Sequence, residues 1–338
     1  MTEPRPSTTP PITTPRTTPA TTSTTTHLIV NAAGLAELSD TQVRQFAALM
    51  PTLREMMGHL VSAGKVQCDD DSPATPYELA LAKSRGLHQA PGLIPWAAFD
   101  TRTYQVPCAW ITPSHCQVGA DQALLRDPAE LALDETSSRA LMAAAAPYFL
   151  EDGITLHYHR PDAWLATGEL FRDLPTRSLQ QVVHRRITTA FFDGSTPAAV
   201  RLRRLQNEMQ MLFYSHPAYD ERQARGQLGI NTFWPHGAGE LNAAPVPLPD
   251  VKLVTATLAD MAATRQAETA PDALEAWQTL DAQTLRPLLA DVQQGLALHL
   301  TLCGEHQALS FRTAPRSWLA RLLHTLGRRP ALPPLHQL

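Results

Sequence analysis

From His27 onward the apolar residues fall into short runs and helical stripes separated by polar turns. Residues 27–30 form an apolar run ahead of Asn31-Ala-Ala-Gly34, the pattern of a buried strand that feeds a loop. Val43, Phe46, Ala47, Met50, Leu53 and Met57 recur at helical spacing. They predict a helix from Ser39 or Asp40 to about His59, kinked or divided at Pro51. Thr75 or Pro76 opens another helix that runs to Arg85. A strand over 109–112 ends at Pro113, a helix covers 134–146, and a strand covers 154–158. Helical spacing returns over 178–187 and 196–214, and the strand-like stretch 230–234 ends at the turn Pro235-His-Gly-Ala-Gly239. Strands at 251–255, 297–303 and 308–312 follow, with helices in 258–265, 272–293 and 315–326. Strands alternating with helices in this way predict an α/β protein, a layered sheet with helices on both faces.

Residues 1–26 break the pattern. Twelve are Thr and six are Pro, too little apolar surface to offset the entropy of ordering, so this tail is predicted to be disordered. Residues 27–338 then form one α/β domain, with a sub-domain seam at the proline connection 245–250. No stretch approaches the ~20 apolar residues of a membrane span, and no run of roughly 7–15 apolar residues marks a secretory signal. A cytoplasmic protein without a membrane partner is expected. The chain carries 28 basic and 32 acidic side chains, a formal net charge of −4, which argues against a general nucleic-acid binder. Cys68, Cys108, Cys116 and Cys303 show no CxxC pair, so neither a zinc ribbon nor a disulfide scaffold is indicated.

Candidate chemistry is sparse. In the helix over 198–214, Leu202, Leu205, Met209, Leu212 and Phe213 make one apolar stripe, while Arg203, Asn207, Gln210 and Tyr214 line a second face. That polar row could read a polar ligand or knit two layers together. His157 and His159 alternate on a strand and could hold a metal or simply face water. Cys108, His115 and Cys116 could supply a thiol–imidazole pair or buried filler. Gly237-Ala-Gly239 could offer backbone N–H groups to an anion or form a tight turn. The last helix carries Arg316, Arg321, His324, Arg328 and Arg329 around Trp318, Leu322 and Leu326, a basic face that could meet a protein partner. No Walker A, GxGxxG, HExxH or GxSxG pattern occurs.

Four segments together resemble a known family: CAWITPSHCQVGADQALLRDPAELALD (108–134), PYFLEDGITLHYHRPDAWLATGELF (147–171), RRLQNEMQMLFYSHP (203–217) and INTFWPHGAGE (230–240). They are similar to the RpfE-type regulatory proteins of proteobacteria, whose members are often labelled cofactor-independent phosphoglycerate mutase. The resemblance implies a link to regulation of extracellular enzymes and polysaccharide. Through the archaeal-type mutases it also implies a remotely alkaline-phosphatase-like fold. Gly119-Ala120-Asp121 ahead of Asp127-Pro128 is similar to the mutase nucleophile motif. Asn231 through Gly237-Ala-Gly239 is similar to the substrate-binding segment.

The departures fall where the mutase chemistry would be. Ala120 stands where the resemblance implies a Ser or Thr nucleophile, and a methyl group cannot carry a phosphoryl group. Asn31 stands near an expected Asp ligand, and a neutral amide is a weak partner for a hard divalent cation. His236 replaces a substrate-binding Arg and its bidentate phosphate contact. Gly304-Glu305-His306 only faintly resembles the Gly-Asp-His metal segment, and no downstream metal-binding His pattern follows. Two-metal chemistry needs cations about 3.5–4 Å apart. The expectation is therefore a non-catalytic regulatory or ligand-sensing protein, with no catalytic residue, metal or cofactor. Its pocket for a small polar or anionic ligand would be lined by His115, Asp121, Asn207, Gln210, Asn231 and His236. The alternative is an active mutase-like phosphotransferase or phosphohydrolase with a rearranged metal site.

Overall fold

The computed structural model describes residues 24–31, 48, 50–69, 71–118, 123–183, 186–187, 196–248, 251–257 and 271–313. The first strand, β1 (Thr25–Asn31), takes in the last two threonines of the Thr/Pro-rich segment. Helix α1 (Pro51–Met57) and strand β2 (Leu60–Gln67) follow, then α2 (Pro76–Ser84) and α3 (Trp96–Thr101). Next come β3 (Cys108–Ser114), β4 (Cys116–Val118), β5 (Ala123–Leu125), α4 (Glu135–Glu151), β6 (Thr155–Arg160) and β7 (Ala163–Thr167). A two-residue strand, β8 (Arg186–Ile187), precedes α5 (Pro197–Tyr214), α6 (Pro217–Ala224), β9 (Thr232–Gly239) and β10 (Val251–Thr257). Helices α7 (Pro271–Thr279) and α8 (Arg286–Gln294) lead into β11 (Leu298–Cys303) and β12 (Gln307–Thr313).

These strands build more than the single predicted sheet. A five-stranded sheet has the order β10-β1-β11-β12-β2, a four-stranded sheet the order β6-β7-β3-β9, and a small one the order β4-β5-β8. In the first, β10, β1 and β11 run parallel, while β12 is antiparallel to both β11 and β2. The second is antiparallel throughout. The fold class is α/β, and helices do cover both faces of the five-stranded sheet. Leu28, Val30, Leu298, Leu300 and Leu302 point to α1 and α8, where Leu53, Met56, Leu289 and Val292 complete one core. The alternate positions Ile29, Cys303 and Ala308 pack on Tyr77 of α2, as the period of two along a strand requires. The chain passes from the four-stranded to the five-stranded sheet across residues 240–250, the stretch that includes the proline connection.

The largest core lies on one face of the four-stranded sheet. Ile111, Trp164, Ala166 and Phe233 meet Leu141 and Phe149 of α4 and Leu202, Leu205, Met209 and Phe213 of α5. The other face presents Cys108, Trp110 and Ala163 to Ala97 and Ala98 of α3 and to Ala82 of α2. Helix α2 thus bridges the two larger sheets. Its N-terminus is fixed by a capping box, in which Thr75 Oγ1 accepts from Glu78 N at 3.1 Å and Glu78 Oε2 accepts from Thr75 N at 2.8 Å.

Several local expectations change. Of the two outcomes expected at Pro51 the helix is divided rather than kinked: Ala48 is helical, Met50 is not, and Pro51 starts α1 at the position where a missing N–H costs nothing. The amides of Thr52 and Leu53 instead reach the buried Asp281 carboxylate at 3.1 and 2.8 Å. Helix α4 continues through Pro147 to Glu151, because Pro147 is on its exposed side, where water can satisfy the carbonyl that it leaves unpaired. The helix predicted over 178–187 is one turn, Leu179–Val182, followed by β8. Residues 39–47, 258–265 and the basic segment 315–326 lie outside the described residues.

Candidate functional site

The polar centre of the four-stranded sheet is where β3, β4 and β9 meet. Asn231 is 2% exposed. Its Oδ1 accepts from Cys116 N at 2.7 Å, and its Nδ2 donates to Cys116 O at 2.9 Å. The amide therefore acts as an extra rung of sheet, holding the start of β4 to the start of β9. His115, half-buried at the β3–β4 corner, donates from Nδ1 to Gly229 O at 2.6 Å. Further along β9, His236 Nε2 and Thr112 Oγ1 share a 3.1 Å hydrogen bond. Burial, assisted by the Arg160 charge, lowers the His236 pKa to about 4, so the ring is neutral at pH 7.

The other candidates fall elsewhere. Asn207 is exposed on α5 and Gln210 is half-buried; Asp121, with Gly119 and Ala120, lies outside the described residues. The amide that knits α5 to the sheet is Gln206, 5% exposed, whose Nε2 donates to Phe233 O at 3.0 Å. It lies next to the apolar stripe of Leu202, Leu205 and Met209, and that phase relation in the sequence was the signal for it. Replacing Gln206 by Leu should cost about 1–2 kcal/mol by leaving a buried carbonyl unpaired. Asn207→Ala should stay within about 0.5 kcal/mol of the parent. Chemical denaturation of the two variants separates these roles.

Gly237 and Gly239 do not form a turn; β9 continues through them, with a shift of register against β3 between His236 and Gly239. A Cβ on Gly237 (φ +61) would sit 2.9 Å from Trp96 Cβ, and one on Gly239 (φ +147) 2.8 Å from Pro95 Cβ. The glycines let β9 lie against α3, and Ala238 N is already donated to Thr176 Oγ1 at 3.2 Å. The thiol–imidazole reading finds no support in charge, since burial pushes both Cys108 and Cys116 up to about 11. His157 is exposed and shares a hydrogen bond with Thr167, while His159 packs on the Trp110 ring with centroids 5.0 Å apart. Among the described residues no three His, Cys, Asp or Glu side chains converge on a metal position.

One cleft joins these parts. It is lined by Pro73, Ala74 and Glu78 at the start of α2, by Gly92, Ile94 and Trp96, by Thr176 and Ser178, and by His236 and Gly237. Of the five described residues among the six singled out in the sequence, His236 alone is on this wall. Glu78 was missed, although the Thr75-Pro-Tyr-Glu78 capping pattern announced it. The cavity measures about 20 Å³, room for one or two water-sized groups.

No family model matches the sequence, and none of the curated proteins does. Among solved structures the chain is similar to a cofactor-independent phosphoglycerate mutase from Thermoplasma acidophilum DSM 1728, at 13% identity and a TM-score of 0.39. That match covers 86% of this chain and 90% of the other. It is also similar to the PH0037 protein from Pyrococcus horikoshii, at 11% identity and a TM-score of 0.45, covering 86% and 88%. The α/β assignment stands on the strand orders given above. No helix among the described residues is long and apolar enough to cross a membrane.

Proposed function

We propose that the chain is a non-catalytic regulatory or ligand-sensing protein of the RpfE type. The observation that supports this reading is how the Asn231 amide is spent. Asn231 gives both amide atoms to the Cys116 backbone, and His115 gives Nδ1 to Gly229. His236 is a neutral ring bonded to Thr112. A residue that moves protons or holds a cation needs an uncommitted atom facing substrate; Asn231, with both amide atoms bonded to the Cys116 backbone, has none and holds strands together. Sites rather than folds decide function, and of these three residues His236 lines a small cleft. Purified protein supplied with manganese or zinc should neither interconvert phosphoglycerates nor hydrolyse phosphomonoesters above the buffer rate. Metal-dependent turnover that follows the protein through purification would overturn the proposal in favour of an active phosphotransferase.

A further inference from the structure

The cleft at the head of α2 is chemically one-sided. Among the described residues the hydrogen bonds of the Glu78 carboxyl all fall on Oε2, from the Thr75 amide at 2.8 Å and the Thr75 hydroxyl at 3.2 Å. Ser178 is 8% exposed, and its hydroxyl lies close enough to the Glu78 carboxyl to oppose the rise in its pKa, though without the geometry of a full hydrogen bond. Burial raises the Glu78 pKa, opposed by Thr75 and Ser178, so the carboxylate is held where its charge is poorly compensated. Among the described residues no Lys or Arg lines the cleft, the imidazole of His236 is neutral, and the remaining wall includes Trp96.

An anion entering here would meet a carboxylate and no cation. An apolar group would leave the Ser178 hydroxyl and the Glu78 carboxylate unsatisfied. A primary ammonium group suits the wall: it carries three donors and no acceptor and compensates the carboxylate. It is also about the size of a water molecule. We propose that this cleft is a binding site for the primary ammonium group of a small ligand, with Glu78 as counter-ion and Ser178 as second acceptor. This rests on the ligand-sensing reading and names its ligand class, a cation where a small polar or anionic ligand was expected.

The test uses the full chain and methylammonium chloride, with potassium chloride, tetramethylammonium chloride and sodium phosphate at matched ionic strength. Melting temperature should rise saturably with methylammonium alone. Tetramethylammonium has no N–H to donate, and potassium lacks directional donors. Glu78→Gln keeps an oxygen for the Thr75 amide and should fold, yet weaken the methylammonium response about tenfold, as expected for a charge-assisted bond. Ser178→Ala, which leaves the helix cap untouched, should weaken it severalfold. A flat methylammonium titration, an equal response in Glu78→Gln, or an equal response to potassium or phosphate would overturn the assignment. Phosphoglycerate turnover would sink the non-catalytic reading while leaving a Glu78-dependent ammonium response in place, so the two failures are distinguishable.

Discussion

Folding stability should fall by several kcal/mol between pH 7 and pH 4, before most carboxylates titrate, and a stacked pair of imidazoles should account for a large part of it. His27 on β1 and His299 on β11 are register partners, with ring centroids 4.3 Å apart and planes 13° from parallel. His27 is 6% exposed. Its Nε2 is bonded to Thr301 Oγ1 at 2.9 Å, while its Nδ1 and the Nε2 of His299 are buried without a partner among the described residues. Among the described residues the charges acting on the pair are positive: Lys83 from α2 on both rings, Arg312 from β12 on His299, and His299 on His27. Burial first, then these cations, lowers the His27 pKa to about 4 from 6.5 and lowers that of His299 as well. The unfolded chain therefore binds more protons than the folded one between pH 6.5 and 4. The contribution is complete above 6.5 and is lost as the pH falls toward 4. A shift of this size corresponds to about 3 kcal/mol for His27, trimmed by solvent screening to on the order of 2 kcal/mol. His236, also held at about 4, adds a loss of the same sign. Denaturant midpoints measured across this range should drop steeply for the parent and visibly less for His27→Gln, which retains a partner for Thr301. Parallel curves for the two proteins would rule the mechanism out.

That pair also shows what the sequence could reveal. The run over 27–30 reads as a buried strand, and the structure places Leu28, Ile29 and Val30 at zero exposure. Which histidine would lie beside His27 is a fact of strand register between segments 274 residues apart along the chain, as the separation of His27 from Thr301 shows; no local pattern contains it. The strands that escaped notice did so for physical reasons. Residues of β2 are exposed on both faces at a sheet edge after Leu60, so hydrophobic alternation never develops. The end of β9 holds a proline and two glycines, which read as a turn. On an edge strand, however, Pro235 has no ladder bond to forfeit, and the glycines answer to the approach of α3. The candidate site was legible in part. His115, Asn231 and His236 lie along the β3–β9 seam, and the sequence marked them as polar groups of interest. The bonding of His115 and Asn231 to backbone atoms and of His236 to the Thr112 hydroxyl, and the place of Glu78 and Ser178 on the same cleft as His236, depend on contacts between distant segments.

Replacing Asn231 by Leu should destabilise the protein by about 2–4 kcal/mol, the cost of stranding two buried backbone groups. The Cys116 N–H would lose its acceptor at 2.7 Å and the Cys116 carbonyl its donor at 2.9 Å, with no room for water beside a residue only 2% exposed. Asn231→Asp is the sharper experiment because the sign of its pH dependence is fixed by geometry. At neutral pH one carboxylate oxygen can still accept from Cys116 N, but the other faces the Cys116 carbonyl, so two acceptors oppose each other in a buried site. The folded-state pKa of such an acid must lie above its unfolded value, since protonation converts the offending oxygen into a donor. The unfolded chain then binds fewer protons than the folded one, and the penalty relative to the parent shrinks as the pH falls through the folded pKa. The parent itself loses stability over the same range, so the comparison is the difference between the two proteins at each pH, read from denaturation midpoints. A scaffold role predicts a large penalty at pH 7 that contracts under acid. A residue that merely awaited a ligand would leave stability unchanged in both variants, and a penalty independent of pH would show that the two hydrogen bonds to Cys116 are not what Asn231 contributes.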